Sequence, residues 1–112
     1  MELPFDINIY STKNHLPKDG TVNYYGVIFS LESSQKYFKS LMEDIQWKND
    51  EAIIMGKKII TKRKVAWYAD QPFSYTYSKI TKQALPWTQL LLELKQKVEE
   101  ISNTTYNSCL LN

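Results

Sequence analysis

The chain has 112 residues with a net charge of +2, 43% hydrophobic and 23% charged residues. That is enough for one domain with a real core, too ordinary for a disordered chain, and too weakly basic in total to mark a nucleic-acid binder by charge alone. Its apolar runs, such as Leu90, Leu91 and Leu92, fall far short of the roughly 20 residues that cross a bilayer, and the start MELPFD lacks a secretory pattern. The expectation is an intracellular, cytoplasmic protein, or a nuclear one in a eukaryote, with no membrane partner.

In chain order, FDINIY alternates through Phe5, Ile7 and Ile9 as a short strand or arm does. STKNHLPKDG is turn chemistry, with Pro17, Asp19 and Gly20. TVNYYGVIF is rich in β-branched and aromatic residues and reads as a strand. Ser30 is placed as an N-cap, followed by Leu31, Phe38, Leu41, Met42 and Ile45 at helical spacing, with Glu32 in the first turn where the helix dipole favours an acid. AIIM-GK-KIIT reads as a hairpin with its tip at Met55, Gly56 and Lys57. KVAWYA and YTYS are two further strands. From Thr88, Leu91, Leu94, Val98 and Ile101 form the apolar stripe of a second helix ended by Asn103, and TYNSCLLN is a last strand. The fold class is therefore α+β, two helices on one side of a mostly antiparallel sheet. The last strand ends the chain at its most apolar point, which suggests either that it sits in the middle of a sheet or that something that should follow is missing.

His15 is the only histidine and Cys109 the only cysteine, and the chain has no CxxC, HExxH, P-loop or GxGxxG motif. Cys109, within SCLL, reads as a small buried hydrophobe, and Glu99 and Glu100 as a solvated helix end. The informative stretch is RKVAWYADQPFSYTYS, residues 63–78, with five aromatic rings directly after a basic run of Lys57, Lys58, Lys62, Arg63 and Lys64. Alternate positions of a strand share a face, so Tyr75 and Tyr77 point the same way. Trp67 and Phe73 are assigned to packing. Tyr75 and Tyr77 suit either packing or a platform for a flat ligand, because a base stacked on a ring gains about 1–3 kcal/mol and neighbouring cations add salt-sensitive affinity for phosphates. Met55 at the hairpin tip, flanked by Lys57 and Lys58, is the candidate wedge, since unbranched apolar side chains inserted between base steps unstack a duplex.

KRKVAWYAD, YTYS, LPWTQLLLELKQKVEE and TYNSCLLN, in that order and spacing, resemble the N-terminal half of the AlkB-type iron(II) and 2-oxoglutarate-dependent dioxygenases that repair alkylated DNA or RNA. DGTVNYYGVIFS and AIIMGKKI extend the resemblance over residues 19–112. It implies a jelly-roll dioxygenase fold, of which this chain is the N-terminal part. It also implies that Met55 and Gly56 form the finger that probes a duplex, with Lys57 beside them, that Arg63 lies near the nucleic-acid backbone, and that Tyr75 and Tyr77 line the damaged-base pocket. Leu110 and Asn112 match two residues of the 2-oxoglutarate pocket. A flipped base is what such chemistry requires, because a methyl group on a pairing edge is inaccessible in the stack.

The family's HxD pair, distant histidine and 2-oxoglutarate-clamping arginine follow beyond the position of Asn112 and are not in this chain, so it offers no facial triad for Fe(II). Ala69 and Lys79 stand where many members have glycine. The expectation is a truncated gene product that carries substrate recognition, is inactive by itself, and self-associates through its last strand. Two alternatives stay open: a non-enzymatic module for single-stranded nucleic acid, and an interaction subunit that pairs strands with another chain.

Overall fold

A computed structural model of the chain describes residues 13–112, and the expected strand at Phe5, Ile7 and Ile9 lies outside the described residues. Residues 17–20 bend as their turn chemistry requires. The Asn14 Oδ1 accepts the N–H groups of both Leu16 and Val22, at 3.0 and 2.8 Å, and the His15 N–H donates to the Val22 carbonyl. The strand expected over TVNYYGVIF does not form. Gly26 takes φ 75 and interrupts the extended run, and Val22, Tyr24 and Val27 stay exposed. β propensity records fit to a neighbouring strand, and among the described residues no strand runs beside this one.

Helix α1 (Leu31–Asp44) starts where expected: the Ser30 hydroxyl accepts the Ser33 N–H at 3.0 Å, and Glu32 lies in the first turn. The apolar spacing overstated its buried face. Leu41 and Ile45 enter the core, whereas Leu31, Phe38 and Met42 are exposed. The packed face is turned toward Tyr37, whose ring meets Phe29 edge-on at 5.5 Å.

Strands β1 (Lys48–Ile54) and β2 (Lys57–Ala69) form the expected antiparallel hairpin. Its two-residue turn is Met55 and Gly56, both at positive φ (52° and 78°), the backbone whose twist suits adjacent strands. Lys57, assigned to the tip, instead opens β2. The two runs KIIT and KVAWYA are one continuous strand rather than two. They are joined through a bulge: Asn49 pairs with Lys64 and Glu51 with Ile60, so Thr61, Lys62 and Arg63 together oppose Asp50. The extra residues increase local twist and re-aim side chains. The Thr61 carbonyl accepts from Asn49 Nδ2 at 2.9 Å, and its hydroxyl donates to the Asp50 carbonyl at 3.2 Å.

Beyond the bulge, β2 is flanked on one side by the short parallel strand β5 (Leu85–Pro86) and on the other by the antiparallel β6 (Ser108–Leu111), with Tyr68 opposite Leu85 and Cys109. A separate hairpin joins β3 (Ser74–Tyr77) to β4 (Ile80–Gln83). β4 and β5 were not legible as strands in the sequence. Helix α2 (Gln89–Ser102) is capped by Thr88, whose hydroxyl accepts the Leu91 N–H at 3.1 Å, and ends at Asn103 in the left-handed conformation.

The core lies on the face of β2 that carries Ala66 and Tyr68. Period-two alternation in the paired strand adds Cys109 and Leu111, and the helices supply Leu41, Ile45, Leu91 and Leu94, so both helices cover one side of the sheet. Tyr68 is 1% exposed, and its hydroxyl accepts the Gln46 N–H at 3.0 Å just past the end of α1, so burial leaves no polar atom unpaired. Tyr68, not Phe73, is the ring that holds the core: Trp67 is half-buried and Phe73 is 37% exposed. Cys109 and Leu111 are used inside the chain, which leaves only Leu110 and the far edge of β6 for the self-association expected of this strand. The described residues thus form an α+β arrangement of two helices and mixed sheets, and no described helix is long and apolar enough to cross a membrane.

Candidate nucleic-acid interface

Tyr75 and Tyr77 lie on one face of β3 and are 59% and 66% exposed, as alternation on an uncovered strand requires. On the opposite face the hydroxyls of Thr76 and Thr81 share a hydrogen bond at 2.8 Å, a cross-strand pair that ties β3 to β4. The base of the hairpin is closed by the Ala84 N–H donating to the Phe73 carbonyl at 2.8 Å. At its tip, Ser78 and Lys79 take φ 49° and 63°. The left-handed backbone at Lys79 is one that glycine adopts more readily than a residue with a side chain.

The tyrosine hairpin and the Met55 hairpin touch. The Ile53 N–H donates to the Ser78 carbonyl at 3.3 Å, and the Lys82 ammonium makes a charge-assisted hydrogen bond with the Asp50 carboxylate. Ile53 lies two residues before Met55, and Ser78 directly follows Tyr77. Met55 itself is 97% exposed, so its side chain takes no part in the core.

Positive charge surrounds this junction. Lys57, Lys58, Lys62, Arg63, Lys64 and Lys79 are all exposed, and the bulge brings Lys62 and Arg63 out of regular alternation. Lys58 is partly engaged with Glu51 at 3.4 Å. The hydrogen bond from Lys82 holds the Asp50 carboxyl below the usual carboxylate range, helped by the Lys82 charge, the Glu51 N–H and Arg63. The acid at the junction is therefore already neutralised by its neighbours.

Leu110 and Asn112 stand apart from both hairpins, at β6. Leu110 points away from the core and is exposed, as is Asn112. Burial pushes the neighbouring Cys109 thiol up, which makes it a poor nucleophile. Among the described residues no group of three His, Cys, Asp or Glu side chains is placed to hold a metal ion. Two open clefts, of about 420 and 580 Å³, lie between α1 and α2 near Phe29 and Lys97, and beside Asp70, Glu99 and Tyr106. Neither of these two clefts is lined by Tyr75, Tyr77 or Met55.

Asp50, Lys82 and the Ser78-Lys79 turn are the parts that sequence reasoning missed. Ser-Lys is not a usual two-residue turn, which hid β4. The one local signal, β-branched Ile80 and Thr81 after YTYS, is too short to mark a strand.

No family model matches the chain. It is 29% identical over 101 residues to the DNA oxidative demethylase ALKBH2 of Mus musculus, covering 88% of this chain and 42% of that protein. It is 36% identical over 83 residues to the alpha-ketoglutarate-dependent dioxygenase alkB homolog 3 of Bos taurus (73% of this chain, 28% of that protein). The human homolog 3 is 37% identical over 89 residues (79% and 30%). The chain spans less than half the length of these relatives.

Proposed function

From a chain that is AlkB-type in sequence over most of its length, we propose a substrate-recognition function in oxidative repair of alkylated DNA or RNA. In this reading Tyr75 and Tyr77 stack against a base taken out of its helix. Met55, on the turn with Gly56, fills the space the base leaves. Lys57 and Arg63 meet phosphates on either side. The observation that carries it is the pair of exposed tyrosines on a hairpin docked against the hairpin that presents Met55. A stacking platform must leave ring faces open to solvent before the base arrives, and core rings do not. The wedge must project on a short, fixed turn, and the wholly exposed Met55 does.

The relatives' names imply 2-oxoglutarate, and the fold family implies Fe(II). Among the described residues no group of three His, Cys, Asp or Glu side chains is placed to hold a metal ion, and the role proposed here for the chain is recognition. Leu110 and Asn112 are proposed as positions that would face 2-oxoglutarate, and both are exposed.

The test is fluorescence anisotropy with a labelled single strand and a labelled duplex, each with and without one N-methylated base, at two salt concentrations. The reading expects binding that weakens as salt rises, because lysines and Arg63 displace counterions, and a preference for the methylated strand. Affinity that ignores both salt and methylation would contradict it.

A further inference from the structure

The β3–β4 hairpin has little of its own to hold it in place. Its strands are four residues each, its two tyrosines are solvent-exposed, and both turn residues sit in the left-handed region without the glycine or asparagine that usually occupies it. A two-stranded hairpin of this kind is marginal alone. It is tied to β1 by the Ile53 N–H to Ser78 carbonyl bond at its tip and by the Asp50–Lys82 ion pair nearer its base. Lys82 is directly opposite Tyr75 in the register, and cross-strand partners share a face. The ion pair therefore lies on the tyrosine face itself. Asp50 in turn is the single residue set against the three-residue bulge of β2, next to Arg63.

We propose that Asp50 and Lys82 are positioning residues, a clasp that fixes the tyrosine hairpin against the Met55 hairpin so that platform and wedge engage one duplex at a set separation. This rests on the recognition reading above. Part-exposed ion pairs contribute little to global stability, so the pair's effect is expected in geometry rather than in melting. Lys82, already engaged with a carboxylate, is not among the cations available to phosphate.

The experiment uses the 112-residue chain and needs no nucleic acid for its first arm. Amide hydrogen exchange, read residue by residue by NMR, is followed at Ile53 and, as a core reference, at Tyr68. Asp50→Asn and Lys82→Met should each speed exchange at Ile53 by about tenfold while leaving Tyr68 unchanged, because the loss is local. Lys82→Arg, which keeps the charge and its donors, should retain the wild-type rate. In the second arm the two disruptive variants should narrow the ratio of duplex to single-strand affinity, and Lys82→Arg should keep it. Unchanged exchange at Ile53 in both disruptive variants overturns the clasp, as does equal acceleration at Ile53 and Tyr68. If the wild-type chain binds no nucleic acid, the recognition reading fails while the exchange arm still decides the clasp.

Discussion

The backbone N–H of Ile53 donates to the carbonyl of Ser78 at 3.3 Å, and this bond joins the hairpin that exposes Met55 to the hairpin that exposes Tyr75 and Tyr77. Two surface features that the sequence places 20 or more residues apart thereby become one surface. In the proposed reading, a wedge and a stacking platform act on the same duplex only when their separation is fixed, so the junction is expected to matter to recognition more than to folding.

Stability should reside elsewhere, at Tyr68. Replacing this ring with alanine removes a buried aromatic and leaves the Gln46 N–H without its acceptor. The expected cost is about 3–5 kcal/mol, enough to unfold so small a chain. Circular dichroism on heating checks it; Phe73→Ala, at a ring on the surface, should shift the midpoint far less.

Met55 should trade stability for function. At φ 52° it occupies a backbone region that costs a residue with a side chain about 1–2 kcal/mol, and asparagine before glycine is the sequence such turns prefer. Met55→Asn should therefore raise the melting temperature by a few degrees while weakening duplex binding and sparing single strands. A variant that melts lower, or that loses both kinds of binding equally, would show that the methionine serves the hairpin itself.

The junction should loosen in acid. The Asp50 carboxyl is held below its usual range, chiefly by the hydrogen bond from Lys82, so it binds protons less readily folded than unfolded. The sign follows: its contribution is complete above the unfolded aspartate value of about 3.9 and is lost as pH falls through the lower folded value. Exchange protection at Ile53, measured down a pH series and corrected for intrinsic rates, should fall in that acid window. Asp50→Asn should remove the dependence.

Cys109 should react slowly. Its thiol is pushed up by burial against the core, so iodoacetamide at mildly alkaline pH should modify the native chain much more slowly than the urea-unfolded chain. Equal rates would mean that β6 does not stay paired with β2.

How much of this was legible beforehand depended on whether the controlling contact was local. Both helix starts were readable because Ser30 and Thr88 act on N–H groups three residues away, and Asn103 marked a helix end for a similar reason. The Met55-Gly56 turn was readable from glycine between two β-branched runs. The face shared by Tyr75 and Tyr77 followed from strand geometry alone. Long-range choices were not readable. Nothing near Gly26 shows that residues 21–29 form no strand, and the stripe of α1 does not reveal that Leu31, Phe38 and Met42 stay outside. The bulge at Thr61, Lys62 and Arg63 is a mismatch of count between two strands, invisible until their register is known. Asp50 and Lys82 lie 32 residues apart and carry no motif.

The most direct measurement of the central reading is the affinity of Tyr77→Ala for a single-stranded, singly methylated oligonucleotide, taken beside its melting temperature. Tyr77 is 66% exposed and so stands outside the core, and in the proposed reading its ring is open to a base. The account predicts a melting temperature within a few degrees of wild type and an affinity loss of about 1–3 kcal/mol, with Tyr75→Ala behaving alike. A variant that unfolds, or that folds and binds as tightly as wild type, would contradict it.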